Sequence, residues 1–359
     1  MSADPECSVV IPHLRGSRPL LACLHSLHRS TRDLEIIVVD NASTDGSVDQ
    51  ALAIFPAIKV VRATENLGYA GGANLGLHNA RGRWCIFLND DAVAAPGAIE
   101  ALITKLELAP QDDIPFLQAA LRRSGEPDLF DYAGGAGGLM DRWGFPFALG
   151  RLFEHLEPDH GQYRRAGPLA WASGCCLAGP TETFLGLGGF EESFFAHFEE
   201  IDLCWRWRRS GGRIEAVPWA VVYHMGPSTL PAGARKTYLN YRNNLWTLRR
   251  NLPRARLAGV LMVRAFLDAA ALLRWLVLGK PALAAAVVRG WCSGLFRRPW
   301  SRVQPGPSVQ PERSGWGTYR GSIVVAAYLK RVRSTSQLLG CVKGWDASRS
   351  VSRHGEDRT

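Results

Sequence analysis

The run LEIIVVDNASTDGS, residues 34–47, is apolar and β-branched over most of its first half and then breaks into turn-forming residues at Asp40 and Asn41. Residues 8–12 (SVVIP), 58–61 (IKVV) and 84–89 (WCIFLN) are runs of the same kind. Between them lie stretches with helical spacing, such as Leu20, Leu21, Leu24 and Leu27. The rhythm is βαβα. Runs that are apolar throughout, rather than alternating, suit strands buried on both faces of a parallel sheet with right-handed crossovers. The expected class is α/β, with a mostly parallel central sheet flanked by helices.

In such a sheet ligands sit beyond the carboxyl ends of the strands. Three polar clusters stand there: Pro12-His13, Asp40-Asn41 and Asn89-Asp90-Asp91. Any one of them reads equally well as a turn, but three on one rim favour a site. Beyond about residue 110 the rhythm changes to a Gly-rich segment at 132–138, then WASGC at 171–175 and an acidic-aromatic block at 194–203. That half reads as irregular. Its glycines carry little weight, because no GxGxxG follows a strand and opens a helix.

The 359 residues are 47% hydrophobic and 21% charged, which excludes a mostly disordered chain. Residues 1–250 hold 24 Lys and Arg against 28 Asp and Glu, a balance of −4, whereas residues 251–359 hold 18 against 5, a balance of +13. A uniformly basic nucleic-acid coat is therefore excluded, and an anionic partner is expected beside the C-terminal end. Eight scattered Cys show neither a CxxC pair nor zinc spacing, so reducing cytosol is the natural setting. The N-terminus lacks the pattern of a signal peptide, which places the expected location on the cytoplasmic side.

In chain order, SVVIP, VVDNASTDGS, ENLGYAGGANLG, FLNDDA, ASGCCL, GGFEESFFAHFEEIDLCWRWRRSGGRI, VVYHMGPST and YLNYRN span roughly residues 7–250. This ordered set resembles the inverting family 2 glycosyltransferases, especially a bacterial rhamnosyltransferase-like branch. The resemblance implies a GT-A fold with a Rossmann-like sheet, one domain over 1–250, a donor half at about 7–110 and an acceptor half at about 111–250. Asp40 would meet the base of a sugar nucleotide, Pro12, Asn66 and Gly68 would line the donor crevice, and Asn74 would support it. Asn66 or Gly72 could instead be helix caps. Asp90 would face the ribose.

In Asn89-Asp90-Asp91 the first position departs from the family's Asp-x-Asp, and the resemblance leaves the metal role with Asp91 and a second contact with His224. There a hard oxygen ligand can hold Mg²⁺ or Mn²⁺ against a diphosphate. Glu200 would be the general base that takes the proton of the attacking hydroxyl. Glu199 and Asp202 are its possible substitutes, beside Ser173 and Gly174 on the acceptor side. The plainer alternative pairs these carboxylates with Arg206, Arg208 and Arg209 at i,i+4-type spacing.

Residues 257–279 are Ala-, Leu- and Val-rich but are interrupted by Arg264, Asp268 and Arg274, short of the ~20 uncharged residues that span a bilayer. They and residues 281–288 read as amphipathic helices over 251–300, with Arg264 and Asp268 on the outward polar side. Trp275, Trp291, Phe296, Arg297, Arg298 and Trp300 supply the aromatic and basic mixture of a membrane interface. Packing of the helices on the domain is the alternative. Residues 301–359 read as a basic linker and tail, with one more short element within 321–339. The expected activity is metal-dependent transfer of a sugar from a nucleoside-diphosphate donor to a lipid-linked or polysaccharide acceptor at an anionic cytoplasmic membrane face. A sugar nucleotidyltransferase would carry a Lys-bearing phosphate loop where this chain reads Pro-His-Leu-Arg-Gly. A non-catalytic scaffold would have no need of Asp91, Glu200 and His224 together.

Overall fold

The computed structural model describes residues 4–164, 167–226, 233–297 and 317–345. The apolar runs fold, in chain order, as β1 (Cys7–His13), α1 (Ser17–Leu27), β2 (Leu34–Asp40), α2 (Ser47–Ile54), β3 (Lys59–Arg62), α3 (Gly68–Leu77) and β4 (Trp84–Leu88). The strands pair in parallel in the order β3-β2-β1-β4. Alternate side chains enter two different cores. Val10, Ile37, Val39 and Phe87 pack with Ala70, Ala73 and Leu77 of α3, and Val9, Ile11, Val38 and Ile86 pack with Leu20, Leu24 and Leu27 of α1. Burial on both faces explains why these runs do not alternate. Each such aliphatic side chain contributes about 1.5–3 kcal/mol by leaving water.

Beyond β4 come β5 (Ala92–Ala94), α4 (Ala98–Glu107), β6 (Phe116–Arg123) and β7 (Glu126–Phe130). A small second sheet uses β8 (Gly138–Asp141), β9 (Pro146–Ala148), β10 (Arg151–Leu152) and β11 (His155–Leu156). Next are β12 (Cys176–Pro180), α5 (Thr181–Gly186), α6 (Glu199–Arg209), β13 (Ile214–His224), α7 (Ala234–Asn251), α8 (Arg254–Val277) and α9 (Pro281–Phe296). The main sheet runs β3-β2-β1-β4-β12-β6-β13-β5 and becomes mixed past β4, since β12 lies antiparallel to both β4 and β6. The second half is therefore regular where the sequence read as irregular. The strands of the small sheet, two to four residues each, are too short to display a period.

The expected tail needs correction. β14 (Thr318–Tyr319) pairs with β8, and α10 (Ile323–Tyr328) follows it. Tyr319, Ile323, Ala326, Leu338, Leu339 and Val342 are buried in the same core as α3. Thr335 is pinned by the Glu157 carboxylate, which accepts from its amide at 2.7 Å and its hydroxyl at 2.8 Å. Residues 317–345 are thus part of the domain, because their few apolar side chains fill the second sheet's open face. Residues 301–315 and 348–359 lie outside the described residues, as do Arg298 and Trp300.

A second correction concerns α8. Arg264 and Asp268 face inward and are buried. The Arg264 guanidinium bonds Asn244 and Asp268 and lies 3.7 Å from the Phe145 ring centre, while Trp291 Nε1 donates to Asp268 at 3.0 Å. The pair occurs at the expected spacing but on the opposite side, and burial is tolerable because both charges find hydrogen-bonding partners. Trp291 is accordingly a tie within the protein. Among the described residues no helix is long and apolar enough to cross a membrane.

Candidate active site

The strand ends open into one cavity of about 630 Å³, within the usual size of small-molecule sites. Pro12, Asn66, Gly68, Asp90, Asp91, Ser173, Gly174, Glu199, Glu200 and His224 all line it. Gly68 has φ +71°, and a Cβ there would meet the Phe195 carbonyl at 2.3 Å, so only glycine fits.

Three residues named from the sequence do not line this cavity. Asp202 is fully buried against Arg206 at 2.8 Å, Arg250 at 3.3 Å and Asn251 at 2.7 Å, which makes it a packing ion pair rather than a substitute base. Asn74 spends its amide on Phe190 and Glu192, joining α3 to the loop before α6. Asp40 accepts from the Ser43 amide at 2.8 Å and pairs with Arg62 at 2.5 Å. Its neighbour Asn41 takes the place on the wall, bonding the main chain of Leu67 and Gly68.

His224, closing β13, stands between two carboxylates. Its Nε2 is 3.2 Å from Asp91 Oδ1, and its Nδ1 is 3.0 Å from Asp131 Oδ1. Burial lowers the affinity of this imidazole for its proton, but hydrogen bonds to Asp131 and Asp91 overcome that and push the pKa up to about 10. A carboxylate behind an imidazole fixes the ring and raises its basicity. An oxygen and a nitrogen 3.2 Å apart also match neighbouring ligands of one cation, since ~2.1 Å octahedral bonds put adjacent ligands about 3 Å apart. Among the described residues no group of three or more His, Cys, Asp or Glu could hold a metal ion. The pair therefore suits a cation that completes its shell with water and phosphate oxygens.

Asp90 is committed elsewhere. Its Oδ2 lies 2.6 Å from His13 Nδ1, and His13 Nε2 lies 2.7 Å from Ser47 Oγ. Burial raises the Asp90 pKa, with His13 opposing.

Glu199 and Glu200 open α6, and the segment leading to them is strained: Phe195, His197 and Phe198 hold φ of 67°, 68° and 74°. Each such non-glycine residue costs on the order of 1–3 kcal/mol and persists only where the surroundings enforce it. The enforcing group is Asn243 of α7. Its buried amide donates to the carbonyls of Phe194 at 3.0 Å, Ala196 at 2.9 Å and His197 at 2.7 Å. The Oε2 atoms of Glu199 and Glu200 are buried with no hydrogen-bond partner. The helix N-terminus favours their charge, yet burial wins, pushing Glu200 up to about 7 and Glu199 well above the ordinary carboxylate range, with Glu200 adding to the latter. One carboxylate poised to accept a proton near neutrality stands beside one whose protonated form burial also favours.

Cationic groups line the same cavity. Arg151 of β10 and Arg235 and Lys236 of α7 line the cavity, and Arg151 and Lys236 each lie 5.6 Å from the Tyr132 ring centre. Burial and the charge of Arg151 hold Lys236 below the usual lysine range.

Residues 8–120 match the family model "Glycosyl transferase family 2". That segment is similar to a domain of this glycosyltransferase family. The chain is 29% identical, over 68% of its length and 88% of the relative's, to the N-acetylglucosaminyl-diphospho-decaprenol L-rhamnosyltransferase of Mycobacterium tuberculosis. Its fold is GT-A. It superposes on a mannosyltransferase from Pyrobaculum calidifontis, solved with GDP-Man and Mn²⁺, at a TM-score of 0.51 and 17% identity, covering 82% of this chain and 88% of that one. It superposes on GalNAc-T7, solved with UDP, GalNAc and Mn²⁺, at 0.54 and 18% identity, covering 69% of this chain and 48% of that one.

Sequence reading missed Asp131, Tyr132, Arg151, Arg235 and Lys236 at this site. Arg235 and Lys236 directly precede TYLNYRN, so that motif was the available signal. Asn243, inside it, gives a prediction. Asn243→Ala is expected to lower kcat about 10-fold or more with KM for the donor changed much less, because the strained turn relaxes and Glu200 moves. Steady-state kinetics checks this, and Asn243→Asp, which keeps the shape but not the donating amide, should not rescue it.

Proposed function

We propose that this glycosyltransferase moves a sugar from a nucleoside-diphosphate carrier to an acceptor hydroxyl with inversion at the anomeric carbon, in a divalent-metal-dependent reaction. The observation that carries the reading is the meeting, in one cavity, of a buried carboxylate poised near neutrality, Glu200, with the Asp91–His224 pair. Glu200 takes the hydroxyl proton as that oxygen attacks the face opposite the leaving diphosphate. Arg235, Lys236 and Arg151 lie where they can offset phosphate charge. Asp91 and His224 would hold Mg²⁺ or Mn²⁺, which would stabilise the negative charge growing on the departing diphosphate. Asn66, Gly68, Pro12 and Asp90 form the donor wall. A base contact at Asp40 would have to displace Arg62.

The curated relative's name points to a rhamnosyl donor and a polyprenyl-diphosphate-linked acceptor, and we assign this chain to the same class of cell-surface polysaccharide synthesis. All eight cysteines are free thiols, including the exposed Cys292 and Cys341, which supports work on the cytoplasmic side. The anomeric configuration of the transferred sugar in the glycoside product, read by NMR and compared with that of the donor, tests the mechanism. An inverted anomer is expected, and retention would rule out Glu200 as a base acting on the attacking hydroxyl in a single displacement.

A further inference from the structure

We propose that the outer face of the α8–α9 pair docks on an anionic lipid surface. The inference rests on surface chemistry and stands or falls independently of the transfer reaction. Helix α8 is an inside-out amphipath. Val260, Arg264 and Asp268, spaced four apart, are buried against the protein. The opposite stripe carries Met262, Phe266, Leu273 and Val277, of which Phe266 is 74% and Val277 86% exposed. Exposed Val288 and Phe296 of α9 extend the apolar surface. A contiguous run of large exposed apolar side chains is unusual for a protein surface bathed only in water.

Charge identifies the occupant. Between residues 252 and 297 the only acidic residue is Asp268, which is turned inward. The exposed charges there are all positive: Arg254 and Arg256 at the start of α8, Arg274 and Lys280 at the turn, and Arg289 and Arg297 on α9. A second copy on this face would bring like charges together. Anionic headgroups would instead pair with them while the apolar stripe enters the boundary of the acyl chains. Because neither helix can span, the pair lies along the surface.

Docking has a consequence for the cavity. Helix α7 carries Lys236 and Asn240 on the cavity wall and packs closely on α9, where Gly290 lies under Tyr241 and Gly294 under Leu245. A Cβ at either glycine would come within 2.7 Å of those side chains, so the helices cannot slide freely. One rigid element thus ties the lipid-facing surface to the cavity, which would hold the mouth at a set height over the membrane for an acceptor whose diphosphate lies at the headgroups.

Co-sedimentation of the full chain with vesicles is the test, using phosphatidylcholine alone and phosphatidylcholine with phosphatidylglycerol. Wild type is expected to bind the anionic vesicles at least ~10-fold more tightly. Phe266→Ser with Leu273→Ser and Val277→Ser should abolish binding at low and high salt. Arg274→Gln with Lys280→Gln and Arg289→Gln should weaken it ~10-fold or more at low salt and much less at high salt, where screening already removes the charge contribution. None of these residues lines the cavity, so nucleoside-diphosphate release without vesicles should be unchanged. If the triple serine variant fails to fold, Val277→Asp alone provides the same comparison. Wild type that ignores vesicles, that binds neutral lipid equally well, or that forms a dimer broken by the serine variant would overturn the proposal; the last result would assign the face to a second copy.

Discussion

Glu200→Gln is expected to lower turnover by roughly 10²-fold or more while leaving donor affinity nearly intact, the usual scale for losing a general base. The amide keeps the shape of the side chain and its place on the first turn of α6 but cannot accept the proton. Glu199→Gln should cost far less. Burial raises the pKa of Glu199 well above the ordinary carboxylate value and so favours its protonated form, which an amide resembles. The pH profile gives a second readout. With Glu200 pushed up to about 7, wild-type kcat/KM should rise about tenfold per pH unit below that value and level off above it. Stability should move the other way. Both carboxylates bind their protons more tightly when folded, so their contribution is complete below the unfolded value of 4.5, and the part due to Glu200 is lost as pH rises through about 7. Melting temperature should fall between pH 5 and 8 in the wild type and fall less in Glu200→Gln.

Asp91→Ala and His224→Ala should each remove metal-dependent donor binding, with affinity in the presence of Mn²⁺ reduced about 10²-fold or more and the fold retained. Each substitution deletes one of the two protein atoms placed to share a cation, so neither leaves a working site. Asp131→Asn removes the carboxylate behind the imidazole and should cost an intermediate 10–100-fold, the range for such supporting groups. Since His224 without metal holds its proton up to about pH 10, metal binding must displace it. Apparent metal affinity should therefore rise with pH across the neutral range and fall in acid. Calorimetric titration with donor and Mn²⁺ in buffers of different ionisation heat measures both the affinity and the released proton. Unchanged metal-dependent affinity in both alanine variants would end the assignment.

The first half was legible because burial on both faces leaves a plain mark: β1, β2 and β4 are mostly apolar, and the polar residues that follow them fall on one rim. Asp91, Glu200 and His224 could be named because each closes or opens a regular element inside a recognisable motif. Asp131 could not, since it sits in a loop after β7 with nothing local to distinguish it, and only the antiparallel return of the chain brings it to His224. Asp202 misled for the converse reason. It lies two residues from Glu200, but on a helix that offset turns the side chain roughly 200° away, toward Arg250 of α7. Arg264 and Asp268 show the same limit. Spacing established that they share a face of α8, whereas which face points inward was decided by Phe145, Asn244 and Trp291, all supplied from elsewhere in the chain.

The central claim is that a sugar nucleotide is turned over in the cavity shared by Glu200, Asp91 and His224, with a divalent cation required. Release of nucleoside diphosphate from a panel of sugar nucleotides, followed with Mn²⁺ or Mg²⁺ added and again with chelator, tests it most directly. Release from at least one donor that stops with chelator and returns when metal is restored is the predicted result, and release at the same rate with chelator, or from no sugar nucleotide at all, would contradict it.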